Sequence, residues 1–146
     1  MYPNLSNPKK EQSIHDGRKR IDIRYNNSAE SGFFFSLPIK DISLICPFVF
    51  VECKNYAGDP ANPEIDQLSG RFSNRRGRVG ILACRSFEDE HLFIQRCADT
   101  FHDGRGLVIP LADKDFKNAL SKFPALGPNA LEEIINEKYE RITFLK

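Results

Sequence analysis

The sequence predicts an α/β fold, a mixed β-sheet flanked by helices. Three observations carry this. The early apolar segments follow one another as a meander. The later ones, "RVGILACRS" and "GLVIPL", alternate with amphipathic stretches of helical period, as parallel strands joined by crossover helices do. The chain, at 146 residues, is of single-domain size and long enough to bury a core.

Each element follows in order. Residues 1–10 carry two prolines and read as a loose lead-in, with a brief helix over roughly 9–15. In "RIDIRY", Ile21, Ile23 and Tyr25 alternate with Arg20, Asp22 and Arg24, the pattern of a half-buried strand. "NNSAESG" reads as a turn and "FFFSLPI" as a second strand. "ISLICPFVFVECKNY" is the third, with Pro47 marking an irregular entry or an edge. "GDPANPE" is a loop, and Asn62-Pro63 opens a helix with proline in its first turn. That helix carries an inward stripe of Ile65, Leu68 and Phe72 and a polar stripe of Gln67, Arg71 and Arg75, ending at Gly77. A buried strand, "RVGILACRS", follows, then a helix over "EDEHLFIQRCADTFHDG" with acids in its first turn and Gly104 past its end. "GLVIPL" is the last strand. "DKDFKNALSKF" and "PNALEEIINEKYE" are two more helices, the second with Leu131, Ile134, Ile135 and Tyr139 as its apolar stripe. The expected layout is one domain over 1–146, with a core at about 11–121 and a helical extension over 122–146.

Composition excludes several classes. No apolar run is long enough to cross a membrane, because Lys40, Asp41 and Glu52 interrupt the best candidate. The polar N-terminus lacks the apolar stretch of a signal peptide, so the expected location is cytoplasmic. Cys46, Cys53, Cys84 and Cys97 form no CxxC pair and have no histidine at ligand spacing, which argues for buried free thiols and against zinc. His15, His91 and His102 show no triad or metal spacing and read as surface or capping residues. Net charge is only +1, yet "GRKRIDIR" and "GRFSNRRGR" concentrate arginine while "SFEDE" and "ALEEIINE" concentrate acid. Two basic clusters in a nearly neutral chain can form one cationic face.

The chemistry centres on "VFVECKNY". Alternation puts Phe48, Phe50, Glu52 and Lys54 on one face of the strand and Val49, Val51 and Cys53 on the other. Glu52 and Lys54 are then about 7 Å apart along the strand. Asp22 lies on an early strand with the same alternation, and pairing of the two strands brings two carboxylates and one lysine together. Such a set suits Mg²⁺, which takes one or two carboxylates and completes its octahedron with water and substrate phosphate. Asp22 and Glu52 supply the acids, and the backbone carbonyl of Cys53 a third oxygen. Lys54 stays off the metal and orients a water or stabilises developing negative charge. Taken alone, a Glu-x-Lys pair on a strand is common and is often a solvated ion pair of little worth.

Together, "DGRKRIDIRYNN", "FVFVECKNY", "DQLSGRF" and "GRVGILACRSF" resemble the PD-(D/E)XK nuclease superfamily, in its restriction-endonuclease-like branch of restriction and phage-defence proteins. The resemblance spans roughly residues 11–121. It implies an α-β-β-β-α-β core and Mg²⁺-dependent cleavage of DNA phosphodiesters, with Mn²⁺ as a substitute. Asp22 matches the first metal-binding acid, Glu52 the second, Lys54 the lysine of the motif and Gln67 a helix glutamine near the active site. Glu11 is the candidate for an extra acid from the first helix. Ile21 stands where the motif often has proline.

On this reading Arg18 and Arg20 flank Asp22, while Arg71 and Arg75 extend the Gln67 stripe. Phosphate contacts from them would position a DNA duplex without reading its sequence. Asn55 and Tyr56 line the cleft or form a turn. A homodimer or a larger defence assembly is the expected partner state. Two rivals remain. One is a catalytically inactive nucleic-acid-binding module of the same fold, against which the intact acids and lysine argue. The other is an interaction domain built on the C-terminal helices.

Overall fold

The computed structural model describes residues 4–17, 19–54 and 62–145, and in it the chain opens with a strand. β1 (Leu5–Ile14) pairs antiparallel with β2 (Lys19–Asn27) where a loose lead-in and a helix over 9–15 were expected. The turn between them explains the difference. His15, Asp16 and Gly17 adopt φ of 53°, 56° and 80°, left-handed conformations that fold the chain back on itself. The polar sequence of β1 conceals it, because β1 is the edge strand and only Leu5 is buried. Its register shifts between Ser6 and Lys9, and Pro8 sits in that irregularity, where no ladder N–H is needed. Lys9, Lys10 and Glu11 then charge an edge that would otherwise template further pairing.

The second correction is "FFFSLPI", which forms helix α1 (Phe33–Lys40) and not a strand. Phe33, Phe34 and Leu37 bury one side of it, while Phe35 and Ile39 stay exposed. Pro38 lies inside this helix and has no N–H to give the carbonyl of Phe34. Asn27 Nδ2 donates to that carbonyl instead, at 3.1 Å, and to the Cys46 carbonyl at 2.9 Å. A side-chain amide from β2 thus replaces the helix bond that proline removes. A 3-10 turn over Ile42–Leu44, capped by Asp41, leads to β3 (Phe48–Lys54).

The expected mixed sheet is present, in the order β1-β2-β3-β4-β5. β1, β2 and β3 are antiparallel; β3 runs parallel to β4 (Val79–Cys84), and β4 to β5 (Leu107–Ala112). With α2 (Asn62–Ser69), the strands β1, β2, β3 and β4 give a β-β-β-α-β succession in which α1 is interposed. No helix precedes it among the described residues. α3 (Glu90–His102), α4 (Asp113–Leu126) and α5 (Asn129–Phe144) fall where the sequence placed them.

Helices cover both faces of the sheet. Leu68 of α2 lies over Gly80, where an added Cβ would meet it at 3.1 Å, and Phe72 stacks on Phe50 at 6.0 Å. On the other face, Phe116 of α4 and Leu131 of α5 close an apolar cavity against Tyr25, Val51, Ile81 and Leu111. α5 belongs to the core, with Ala130, Ile134, Ile135 and Ile142 buried and Tyr139 against Phe33. Each fully buried large side chain contributes about 2 kcal/mol. Three of the four free thiols are buried as expected, but Cys53 is exposed, because the face it occupies is open at the end of β3. None of the described helices is long and apolar enough to cross a membrane.

Candidate active site

The alternation read in β3 is the one observed. Phe50 and Glu52 are buried and Lys54 half-buried on one face, while Cys53 points away from them. The register pairs Ile23 with Val51 and Arg24 with Phe50, so one step further Asp22 comes level with Glu52. Asp22 Oδ2 accepts the backbone N–H of Cys53 at 2.9 Å, which fixes the first acid against the end of β3. Lys54 Nζ donates to Glu52 Oε1 at 3.1 Å. Lys54 thus sits on Glu52, and the Asp22 carboxylate bonds the main chain of Cys53, the residue between them.

Arg71 joins them from an unexpected direction. The predicted helical stripe of Gln67, Arg71 and Arg75 does not exist, because α2 ends at Ser69. Beyond it the bonds shorten to Arg71 N–H to Leu68 O and Phe72 N–H to Ser69 O, and Ser73 and Gly77 pair across a tight turn. Gly70, a poor helix former, follows the last helical residue, and the chain turns Arg71 inward. Its NH1 lies 3.3 Å from Glu52 Oε2, and its side chain is only 12% exposed. The two groups are at ion-pair distance without hydrogen-bond geometry. Glu52 Oε2 and the Nε and NH1 of Arg71 are buried with no hydrogen-bond partner.

The remaining candidates lie further out. Gln67 is exposed on α2 and makes no hydrogen bond to Asp22, Glu52 or Lys54. Arg75 is exposed in the turn over 74–76. Arg20 is exposed, 3.9 Å from Glu11, which sits on β1 and not on a helix. Arg18, Asn55 and Tyr56, with residues 57–61, lie outside the described residues. Sequence reasoning missed Arg76, whose Nε and NH2 donate to the Arg71 carbonyl at 3.4 and 3.3 Å. It also missed Arg24, stacked 4.6 Å over the Phe48 ring. The doubled arginine of "SNRRGR" and the alternation of β2 were the available signals.

Electrostatically the cluster is balanced, with two carboxylates against Lys54 and Arg71. The Cys53 thiol registers the local field: partial burial raises its pKa, the charges of Asp22 and Glu52 raise it further, and Lys54 opposes them. Among the described residues no group of three or more His, Cys, Asp and Glu is placed to hold a metal. The donors nevertheless fit a hard divalent cation that takes two carboxylates and keeps its waters. Asp22 lies one step beyond the Ile23–Val51 pair, level with Glu52, and Glu52 Oε2 is a buried acceptor without a hydrogen-bond donor. A dication added to this balanced set leaves it net positive, which suits a phosphate anion. No family model, curated protein or solved structure matches the chain.

Proposed function

We propose that this protein is a metal-dependent endonuclease that hydrolyses DNA phosphodiesters, with Asp22, Glu52 and Lys54 as its catalytic set. The carrying observation is that Asp22, one step beyond the Ile23–Val51 pair, bonds the N–H of the residue between Glu52 and Lys54, while Lys54 bonds Glu52. The resemblance to the restriction-endonuclease-like superfamily and the β-β-β-α-β succession support the same reading.

Asp22 and Glu52 would hold Mg²⁺ or Mn²⁺, with the Cys53 carbonyl as a further oxygen donor. When bound, such a cation neutralises phosphate charge and lowers the pKa of a coordinated water. Lys54, anchored on Glu52 Oε1, places an ammonium beside the reacting phosphate, where it orients the attacking water and stabilises charge developing on the phosphate oxygens. Arg20 and Arg75, both exposed, bind duplex phosphates without sequence information. Gln67 acts only if substrate brings it closer. All four cysteines are free thiols, which suits the reducing cytoplasm.

The balanced, buried Glu52 cluster favours a second reading, a binding module in which these charges serve only the fold. Cleavage of duplex DNA with Mg²⁺ or Mn²⁺ separates the two. The nuclease reading expects activity in the wild type and a loss of at least about 100-fold in Glu52→Ala and Lys54→Ala. Undiminished activity in either variant removes these residues from catalysis. Salt-dependent DNA binding without cleavage at any metal concentration supports the binding module.

A further inference from the structure

We infer that Arg71 is a phosphate clamp held in reserve: in the metal-free protein its guanidinium guards Glu52, and it passes to a phosphodiester oxygen when Glu52 turns to a divalent cation. The inference rests on the metal-dependent reading above and assigns Arg71 a role within that site, in place of the duplex positioning expected from sequence.

The present pairing is a poor end state for an arginine. Guanidinium and carboxylate match as a fork, with two parallel hydrogen bonds. Arg71 instead approaches Glu52 through NH1 alone, at 3.3 Å, and makes no hydrogen bond there. Two of its donor atoms, Nε and NH1, are buried and unpartnered, as is Glu52 Oε2. Buried donors without acceptors are costly and rare enough to need a cause. A phosphate, with several acceptor oxygens spaced for the guanidinium fork, satisfies them.

The pairing also excludes a metal on the same oxygen. A guanidinium 3.3 Å from Oε2 repels a dication approaching that atom. Glu52 therefore exchanges one cation for another, while Lys54 remains on Oε1. The backbone permits a side-chain swing. Arg76 grips the Arg71 carbonyl through Nε and NH2, its own N–H bonds Ser73 Oγ at 3.0 Å, and Ser73 and Gly77 close the turn. Arg71 can redirect its guanidinium while its main chain stays fixed.

The test uses the whole chain and two readouts besides turnover. Mn²⁺ affinity is measured by calorimetry, and binding of a nuclease-resistant phosphorothioate duplex by fluorescence anisotropy with and without Mn²⁺. Arg71→Met is expected to bind Mn²⁺ about tenfold more tightly than wild type, because the competing cation is gone. Its Mn²⁺-dependent gain in duplex affinity is expected to fall about tenfold below that of the wild type. Arg71→Lys, which keeps the charge that supports the fold, is expected to bind Mn²⁺ like wild type yet lose the duplex gain. Unchanged or weaker Mn²⁺ binding in Arg71→Met overturns the guard. A full duplex gain in either variant overturns the clamp. Asp22→Asn separates failure of the underlying reading: Mn²⁺ bound equally by this variant and the wild type lies elsewhere, and then the metal site itself is wrong and the clamp falls with it.

Discussion

Asp22 Oδ2 accepts the Cys53 backbone N–H at 2.9 Å, so the first acid of the site also ties β2 to the end of β3. Its structural and chemical duties separate by substitution. Asp22→Asn keeps an acceptor oxygen and removes the charge. It is expected to unfold within about 1 °C of wild type but to lose DNA cleavage. Asp22→Ala loses both and is expected to be less stable by about 1–2 kcal/mol, a shift of a few degrees in Tm. Thermal denaturation and a cleavage assay on the pair check this. Equal stability of the two variants would show that the Cys53 bond contributes nothing.

A second charge cluster, remote from Glu52, is expected to govern acid stability. Glu90 of α3 accepts Lys138 and Arg141 of α5 on Oε1 and Lys114 of α4 on Oε2, and Lys138 also meets Asp115 at 3.5 Å. Lys138 is only 3% exposed. Burial of Glu90 opposes its ionisation, but hydrogen bonds from Lys114 and Lys138 and their charges outweigh it, lowering its pKa from 4.5 to about 2. A folded pKa below the unfolded one means the stabilisation is complete above about 4.5 and is lost as pH falls through about 2. Glu90→Gln is expected to cost about 3 kcal/mol at pH 7, because the buried Lys138 keeps its charge and loses the nearer of its two carboxylates. Urea denaturation is expected to show the gap between variant and wild type narrowing from pH 5 to pH 2. A gap independent of pH contradicts this assignment.

How legible all this was depended on which force set each element. β3 was readable because burial of both its faces and its polar end are written in one alternating run. α3, α4 and α5 were readable from helical period, although the buried Lys138 was not singled out, three and four residues past Ile135 and Ile134 on the same stripe. β1 was unreadable because an edge strand buries almost nothing, so its residues carry turn and charge signals instead. α1 was misread because phenylalanines favour strands locally, and the Asn27 amide that compensates Pro38 is a tertiary contact invisible in the segment itself. Period two placed Asp22, Glu52 and Lys54 on their strand faces, and bringing them together further required that the two strands pair. Arg71 could not be placed in this way, since its inward turn depends on where α2 stops.

That turn gives another prediction. Gly77 has φ of 114°, and a Cβ there would lie 2.6 Å from the Phe48 carbonyl oxygen. Gly77→Ala is expected to cost about 2 kcal/mol, because neither the backbone angle nor the close approach tolerates a side chain. A lowered urea midpoint with an unchanged slope is the expected result. A midpoint equal to that of the wild type would contradict the tight turn beside Arg71.

The central claim is that Asp22 and Glu52 together hold a divalent cation. Diffraction from crystals soaked in Mn²⁺, collected at the manganese absorption edge, tests it most directly. The account predicts an anomalous peak between the two carboxylates, within coordination distance of both and absent from Asp22→Asn. A peak elsewhere, or no peak while the Arg71 guanidinium stays against Glu52, would contradict it.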